Sequence, residues 1–435
     1  MARFLLIPIE VANRELNSRF EIAEKIVDLG FIPIIGPKDV VQKLSYSLKS
    51  SKGFLDKGYD ARSSDDLFKK IIESQGFIYS LDEEGAVDIP IADFLNKRYS
   101  QRLFDYADII FFWGGKQFER FKSRSKSHNK LVVSGNPRFV KKVKIDFKKN
   151  NQITIVTNCG WGNNISGIEW VRKNYASRSK YLEEIIYNDQ VKIKIFTKLI
   201  KHLSTIKLQV ILRPHHEENI SFWRNLLLEN KIDNIKIDSE SNINKIIDNS
   251  SCIFHCDSTV AIDANIKGIP VISLNSDELK VDYLAKIAID ISSSINVNRV
   301  KEFKSLDSIT TYGGNNKNQE ILHDFFNISK DQKNPVDLIC HNIQEIQYKD
   351  NSNLLILLHD FFLIFYIQIL KNIKYIFYPN RSDAEKVYAL KHKFFWRKFP
   401  ILSFVKSREN KRNYSIIKFG KCLIFYINFK SFFLR

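Results

Sequence analysis

The chain has 435 residues, 44% of them hydrophobic, and a formal net charge of +18. It exceeds the roughly 250 to 300 residues at which a single core stops growing, so two core-bearing domains are expected and wholesale disorder is excluded. Five cysteines, Cys159, Cys252, Cys256, Cys340 and Cys422, are odd in number and lack CxxC spacing, which argues against a disulfide framework or a thiolate zinc site and for a reducing cytoplasm.

Residues 1–10 carry a short apolar run with Glu10 behind it and read as a first buried strand, not a signal peptide. The runs 4–8, 32–35, 77–81, 109–113 and 131–134 are predicted strands, and the amphipathic stretches 15–29 and 65–74, ending at Gly30 and before Gly76, predicted helices. That alternation is the rhythm of a parallel sheet. A basic, Asn-rich stretch at 141–151 reads as a linker. A second α/β rhythm follows: strand 153–156, a long polar helical region to about 203, strand 208–212, helix 220–229, strand 235–237, helix 243–249, strand 252–256, helix 260–267 and strand 270–274. Residues 292–350 are polar and less regular.

The run 354–370 is apolar except for His359, Asp360 and Gln368. It falls short of the roughly 20 apolar residues of a spanning helix and reads as a buried or interface-lying one. Residues 351–435 hold 16 Lys and Arg against 4 Asp and Glu, a balance of +12, and 20 of the 55 aromatics. Aromatics cluster with aliphatics in blocks such as Phe394-Phe395-Trp396, Ile401-Leu402-Ser403-Phe404 and Leu423-Ile424-Phe425-Tyr426. An anionic membrane surface fits this composition better than nucleic acid, for which no recognition module is present. The expected division is 1–142, 150–345 and a basic, aromatic-rich, helical, membrane-associating extension at 351–435.

Three clusters at predicted strand ends could carry chemistry, because ligands of open α/β sheets bind there. Asp82-Glu83-Glu84-Gly85 follows strand 77–81. Three adjacent carboxylates repel one another, so one of them can have a raised pKa and serve as a general base; a solvated turn is the other reading. Arg213-Pro214-His215-His216 follows strand 208–212 and suits a phosphate, with forked donors from the guanidinium and an imidazole whose charge rises on binding. Alternatives are pairing with Glu217 or Glu218, or a zinc site shared with His255. Asp257-Ser258-Thr259 precedes helix 260–267 and can cap it, bind an anion at the free N–H groups, or do both. The loop 157–164 contains Asn158 and two glycines, Gly160 and Gly162, that permit close approach of a ligand, without matching a known phosphate loop. Cys159 within it reads as structural.

Leu6-Ile7-Pro8-Ile9-Glu10, residues 53–58, Leu81-Asp82-Glu83-Glu84-Gly85, Phe112-Trp113-Gly114, Gly135-Asn136-Pro137-Arg138, Thr157-Asn158 and Arg213-Pro214-His215 together resemble bacterial surface carbohydrate biosynthesis proteins, over roughly residues 1–345. The resemblance implies the GT-B fold, two Rossmann-type parallel-sheet domains facing a cleft. Glu83-Glu84-Gly85, His215 and Ser258-Thr259 also look like the acidic, His-Pro and Ser/Thr motifs of sialyltransferases and related enzymes that use CMP-sugars, with His216 standing where that family has proline. The implied activity is a metal-independent glycosyltransferase that moves a 2-keto acid sugar, such as Kdo or a sialic acid, from a CMP donor and needs no separate cofactor. Glu83 would be its general base and Asp82 the competitor, with Glu84 beside them; Arg213, His215, His216, Ser258, Thr259, Asn158 and Gly160 would hold the donor. A lipid-linked or oligosaccharide acceptor and a peripheral place on the inner face of the cytoplasmic membrane complete the expectation. Runner-up readings are a UDP- or GDP-sugar transferase, a CDP-polyol phosphotransferase and a non-catalytic, membrane-docked assembly protein.

Overall fold

The computed structural model describes residues 3–89, 94–139, 151–176, 179–206, 208–314, 319–328, 333–348, 353–377, 404–406, 414–419 and 422–427. The chain forms two compact units. One comprises Met1–Glu84, Asn96–Val140 and Asp324–Arg435, and the other Gly85–Leu95 and Lys141–His323.

In the first unit six parallel strands, β1 (Arg3–Ile9), β2 (Phe31–Pro37), β3 (Ser51–Asp56), β4 (Phe77–Leu81), β5 (Ile109–Phe112) and β6 (Lys130–Val133), lie in the order β2-β1-β3-β4-β5-β6. Phe4, Leu5, Leu6 and Ile7 are all fully buried, as expected of a central strand covered by helices on both faces. Strand β3 is absent from the sequence expectation because Ser51-Lys52-Gly53 lacks strand formers. Its lysine is nevertheless buried: the Nζ of Lys52 donates to the carbonyls of Leu48 at 2.8 Å and Ser74 at 2.7 Å, and burial lowers its pKa to about 8.

The second unit has six parallel strands, β7 (Gln152–Val156), β8 (Gln209–Arg213), β9 (Ile235–Ile237), β10 (Ser250–His255), β11 (Val271–Asn275) and β12 (Ser293–Asn296), in the order β12-β11-β10-β7-β8-β9. Helices Leu182–Ser204 and Ile220–Glu229 pack Phe196, Leu199, Leu203, Trp223 and Leu227 against Ile153, Ile155, Val210 and Leu212. Asn219 caps the second of these helices, its side chain accepting from the Ser221 N–H. The chain is thus an α/β protein with two Rossmann-type sheets, the class expected from the sequence.

Three features differ from the sequence expectation. Within 292–350 the structure places β12 and helices Leu306–Gly314, Gln319–Phe326 and Pro335–Gln344, the last capped by Asn334 with proline in its first turn. That last helix belongs to the first unit, although residues up to 345 were expected in the second domain: Val336, Ile339, Cys340 and Ile343 form an apolar face that meets Ile22 and Ile26 of helix Ala12–Asp28. The extension is not purely helical. After helix Leu354–Phe377 it supplies β13 (Phe404–Lys406), β14 (Tyr414–Phe419) and β15 (Cys422–Ile427), antiparallel strands that extend the first sheet where Leu423 and Ile424 pair with Ile35 and Ile34 of β2. The block expected at 423–426 is therefore part of a strand. The blocks at 394–396 and 401–403, and linker residues 141–150, lie outside the described residues.

Candidate functional site

Among the six parallel strands of each sheet the strand order reverses direction once, and the carboxyl ends flanking that reversal are where open α/β sheets bind ligands. In the first unit the reversal lies between β1 and β3; in the second it lies between β7 and β10.

Charged groups crowd the carboxyl ends of β1, β3 and β4. Asp82 is buried and takes hydrogen bonds from Arg98, with Nε to Oδ2 at 2.9 Å. Glu83 is buried against Arg19 at 2.7 Å. Glu84 has the exposed carboxylate of the three, 43% open, and pairs with Arg98 at 3.2 Å and Arg14 at 3.6 Å. Desolvation pushes the Glu84 carboxyl up, but the charges of Arg98, Arg14 and Lys57 outweigh it and bring its pKa down to about 2. For Glu84 the expected mutual repulsion is therefore overcome, because each carboxylate of the run has been given a cation.

Around the acidic run sit residues from several of the segments that carry the family resemblance. The backbone carbonyl of Asp82 accepts from Trp113 Nε1 at 2.6 Å and Asn136 Nδ2 at 3.3 Å, and the Glu83 N–H donates to the Lys57 carbonyl at 2.9 Å. Lys57 bridges Glu15 at 2.8 Å and Glu10 at 3.1 Å. Gly58 has φ +144°, and a Cβ there would lie 2.3 Å from Arg98 Nη2 and 2.8 Å from Asp82 Oδ1, so glycine is required for the Arg98–Asp82 contact. Asp56, at the end of β3, escaped the sequence reading of candidate residues. Burial raises its pKa, opposed by the Gly58 N–H and Lys38 and reinforced by the negative charge of Asp82.

The second unit brings the loops after β7, β8 and β10 to adjacent strand ends. Neighbouring strands are about 4.8 Å apart, so the ends of β8 and β10, on either side of β7, are about 10 Å apart. Arg213 ends β8 and donates to the Asp238 carbonyl at 2.9 Å, with the Asp238 carboxylate at 3.6 Å. The acidic neighbour of Arg213 is thus Asp238, while the pairing with Glu217 considered for the basic strand end is met by His216, whose Nε2 lies 3.9 Å from Glu217 Oε1. Glu218 turns inward and accepts from Thr157 Oγ1 at 2.8 Å, the N–H groups of Cys159 and His215 at 3.1 and 3.0 Å, and Trp223 Nε1 at 2.9 Å. Burial raises its pKa. One carboxylate therefore ties the loop after β7, the loop after β8 and helix Ile220–Glu229.

His215 and His216 lie with ring centroids 4.0 Å apart. A Cβ on Gly160 would come within 3.2 Å of His215 Nδ1, so this glycine lets the loop after β7 close against the imidazole. Cys159 is buried, and burial raises its thiol pKa well above the ordinary value, which fits the structural reading.

A second buried anchor was not foreseen. Lys192 of helix Leu182–Ser204 contacts Asp189 at 3.2 Å, Asp257 at 2.9 Å and the Asn158 carbonyl at 3.4 Å, while Asp189 accepts from the N–H groups of Trp161 and Gly162 at 2.9 and 3.1 Å. This anchor holds the loops after β7 and β10 to one helix. It also takes Asp257 out of the capping role offered for it. His255, fully buried at the end of β10, accepts from the Ser258 N–H at 3.1 Å and meets Ser292 Oγ at 2.8 Å. Burial lowers its pKa to about 4, against the charge of Asp257, so it is neutral at pH 7. With both ring nitrogens engaged it has no lone pair for the zinc site considered from the sequence. Ser258 Oγ accepts from the Val260 N–H at 3.4 Å, and Thr259 makes no side-chain cap.

No family model and no curated protein sequence matches the chain. Among solved structures it is similar to a Listeria monocytogenes protein described as a candidate UDP-N-acetylglucosamine 2-epimerase (TM-score 0.47, 9% identity, 81% of this chain and 99% of that one). It is also similar to the wall teichoic acid polymerase TagF (0.45, 14%, 79% and 89%) and to the UDP-GlcNAc 2-epimerase of Methanocaldococcus jannaschii (0.42, 11%, 79% and 98%). With TM-scores below 0.5, the fold assignment rests on the two sheet topologies and not on these likenesses.

Proposed function

We propose that the protein is a glycosyltransferase of bacterial surface polysaccharide biosynthesis, transferring a 2-keto acid sugar from a CMP donor to a lipid-linked or oligosaccharide acceptor at the inner face of the cytoplasmic membrane. The observation that carries the reading is the placing of Asn158 and Gly160, Arg213 and His215, and Ser258 and Thr259 on three adjacent strand ends at the reversal of the second sheet. Arg213 and His215 contact the donor phosphate from one side of β7, and Ser258 and Thr259 from the other. These donors stabilise the negative charge that develops as CMP departs.

The acidic run of the first unit takes the acceptor proton. Glu83, the base that the resemblance implies, is closed off against Arg19, whereas Arg98 contacts both Asp82 and Glu84. A shift of Arg98 toward Glu84 leaves the Asp82 carboxylate beside Asp56, and this supports Asp82 as the base.

Calorimetric or thermal-shift titration with CMP, CDP, UDP and GDP, with and without EDTA, tests the donor class. Selective stabilisation by CMP that survives EDTA is the expected result. A preference for UDP or GDP replaces the donor class, and a response to CDP alone favours polyol-phosphate transfer. Silence from all four nucleotides overturns the enzymatic reading in favour of a non-catalytic assembly protein.

A further inference from the structure

Helix Leu354–Phe377 is apolar on two opposite faces, and the first unit covers one of them. Asp360 is fully buried and accepts from the backbone N–H groups of Lys49 at 2.9 Å and Ser50 at 2.8 Å; Ile364 and Ile367 are buried on the same side. Phe361 meets Phe4 of β1 with ring centroids 6.4 Å apart.

At 3.6 residues per turn, Leu354, Leu355, Leu358, Phe362 and Tyr366 fall roughly 120° to 240° around the helix from Asp360. These five side chains are 47% to 76% exposed. A surface helix of a globular protein is normally polar on its outward face, and a helix apolar on both faces is one that buries both. No helix of the described residues is long and apolar enough to cross a membrane.

We infer that this outward face is a membrane-docking surface: the helix lies in the plane of an anionic bilayer with Leu355, Leu358 and Phe362 at the acyl boundary. Charge selects the occupant. Residues 351–435 carry a balance of +12, from 16 basic and 4 acidic residues, and Lys43 and Lys49 are exposed at the helix Lys38–Ser47 and the loop after it, against which the docking helix packs. An exposed apolar face on a chain whose last 85 residues are strongly basic matches an anionic lipid surface, while a second copy of this chain would bring +18 against +18. The five side chains point away from the core, so changing them leaves the fold and the nucleotide site in place.

The test is flotation of the full-length protein with extruded vesicles of phosphatidylcholine, with or without 30% phosphatidylglycerol, at about 0.1 M salt. The wild type is expected to float with the anionic vesicles and remain behind with the neutral ones. The double substitution Leu355→Ser/Phe362→Ser is expected to lower the bound fraction at least tenfold with an unchanged melting temperature. Lys391→Glu/Lys393→Glu/Arg397→Glu is expected to reduce anionic-vesicle binding as well. Absence of flotation, equal binding by the serine variant, or a lipid-free dimer that the serine variant dissociates would each overturn the inference. Nucleotide titration of the same preparations reports separately on the donor site, so failure to bind lipid and failure to bind nucleotide are distinguishable.

Discussion

The buried pair Arg19–Glu83 separates a structural from a catalytic role for Glu83. Both side chains are about 1% exposed, their contact is 2.7 Å, and Arg19 Nη2 also reaches the Leu81 carbonyl at 3.3 Å. Removing one partner of a buried ion pair leaves an uncompensated charge and costs about 3 to 5 kcal/mol. In a unit of this size each kcal/mol lowers the melting temperature by about 2 to 4 °C, so Glu83→Gln is expected to lower that of the first unit by about 6 to 20 °C. Arg19→Met is expected to cost a similar amount, because it strands Glu83. The double variant Arg19→Met/Glu83→Gln removes both charges and is expected to recover most of the loss, giving a coupling energy well outside additivity. Urea unfolding and scanning calorimetry of the four proteins measure the cycle. A Glu83→Gln protein that melts like the wild type and yet loses turnover refutes the reasoning and returns the proton to Glu83.

Other sites give further tests. Lys192→Met strands Asp189 and Asp257 and is expected to destabilise the second unit by about 3 to 5 kcal/mol; Asp257→Asn in that background is expected to restore part of it, as read by urea unfolding. His215→Ala is expected to weaken CMP binding about 10- to 150-fold, the equivalent of about 1.5 to 3 kcal/mol for a charge-assisted hydrogen bond, with little change in melting temperature; equal losses of both sink its phosphate role. His255 has a pKa of about 4 folded against 6.5 in the unfolded chain, so between those values the unfolded state binds more protons. Stability is then complete above about pH 6.5 and falls by roughly 3 kcal/mol as pH drops to 4. Urea midpoints at pH 7, 5.5 and 4.5 measure this, and His255→Gln is expected to flatten the slope.

The β-α-β rhythm was legible because burial on both sheet faces demands continuous apolar runs, and 77–81 and 235–237 coincide with β4 and β9. Strand β3 was not legible, since Lys52 is tolerated there only because two backbone carbonyls, from either side of the strand in sequence, meet its Nζ. The helix Pro335–Gln344 shows the same limit at a larger scale: its apolar face is readable, but which unit receives that face depends on contacts with Ile22 and Ile26, over 300 residues earlier in the chain. Strand-end clusters were visible as residue types. Their partners were not, because Arg98 for Asp82, Arg19 for Glu83 and Asp238 for Arg213 are set by tertiary contacts alone.

That difference between residue types and partners has a chemical consequence. A carboxylate beside an arginine is a weak base until the arginine moves, and each carboxylate of the first unit's acidic run has an arginine beside it. Arg98 touches Asp82 and Glu84 at once, and Gly58 alone leaves room for it; a methyl group at position 58 would collide with the guanidinium. Gly58→Ala should therefore displace Arg98 while leaving every carboxylate in the chain. If Arg98 controls the proton acceptor, this one methyl group shifts the pH dependence of turnover without removing a titratable residue, and an unchanged pH profile would place the control elsewhere.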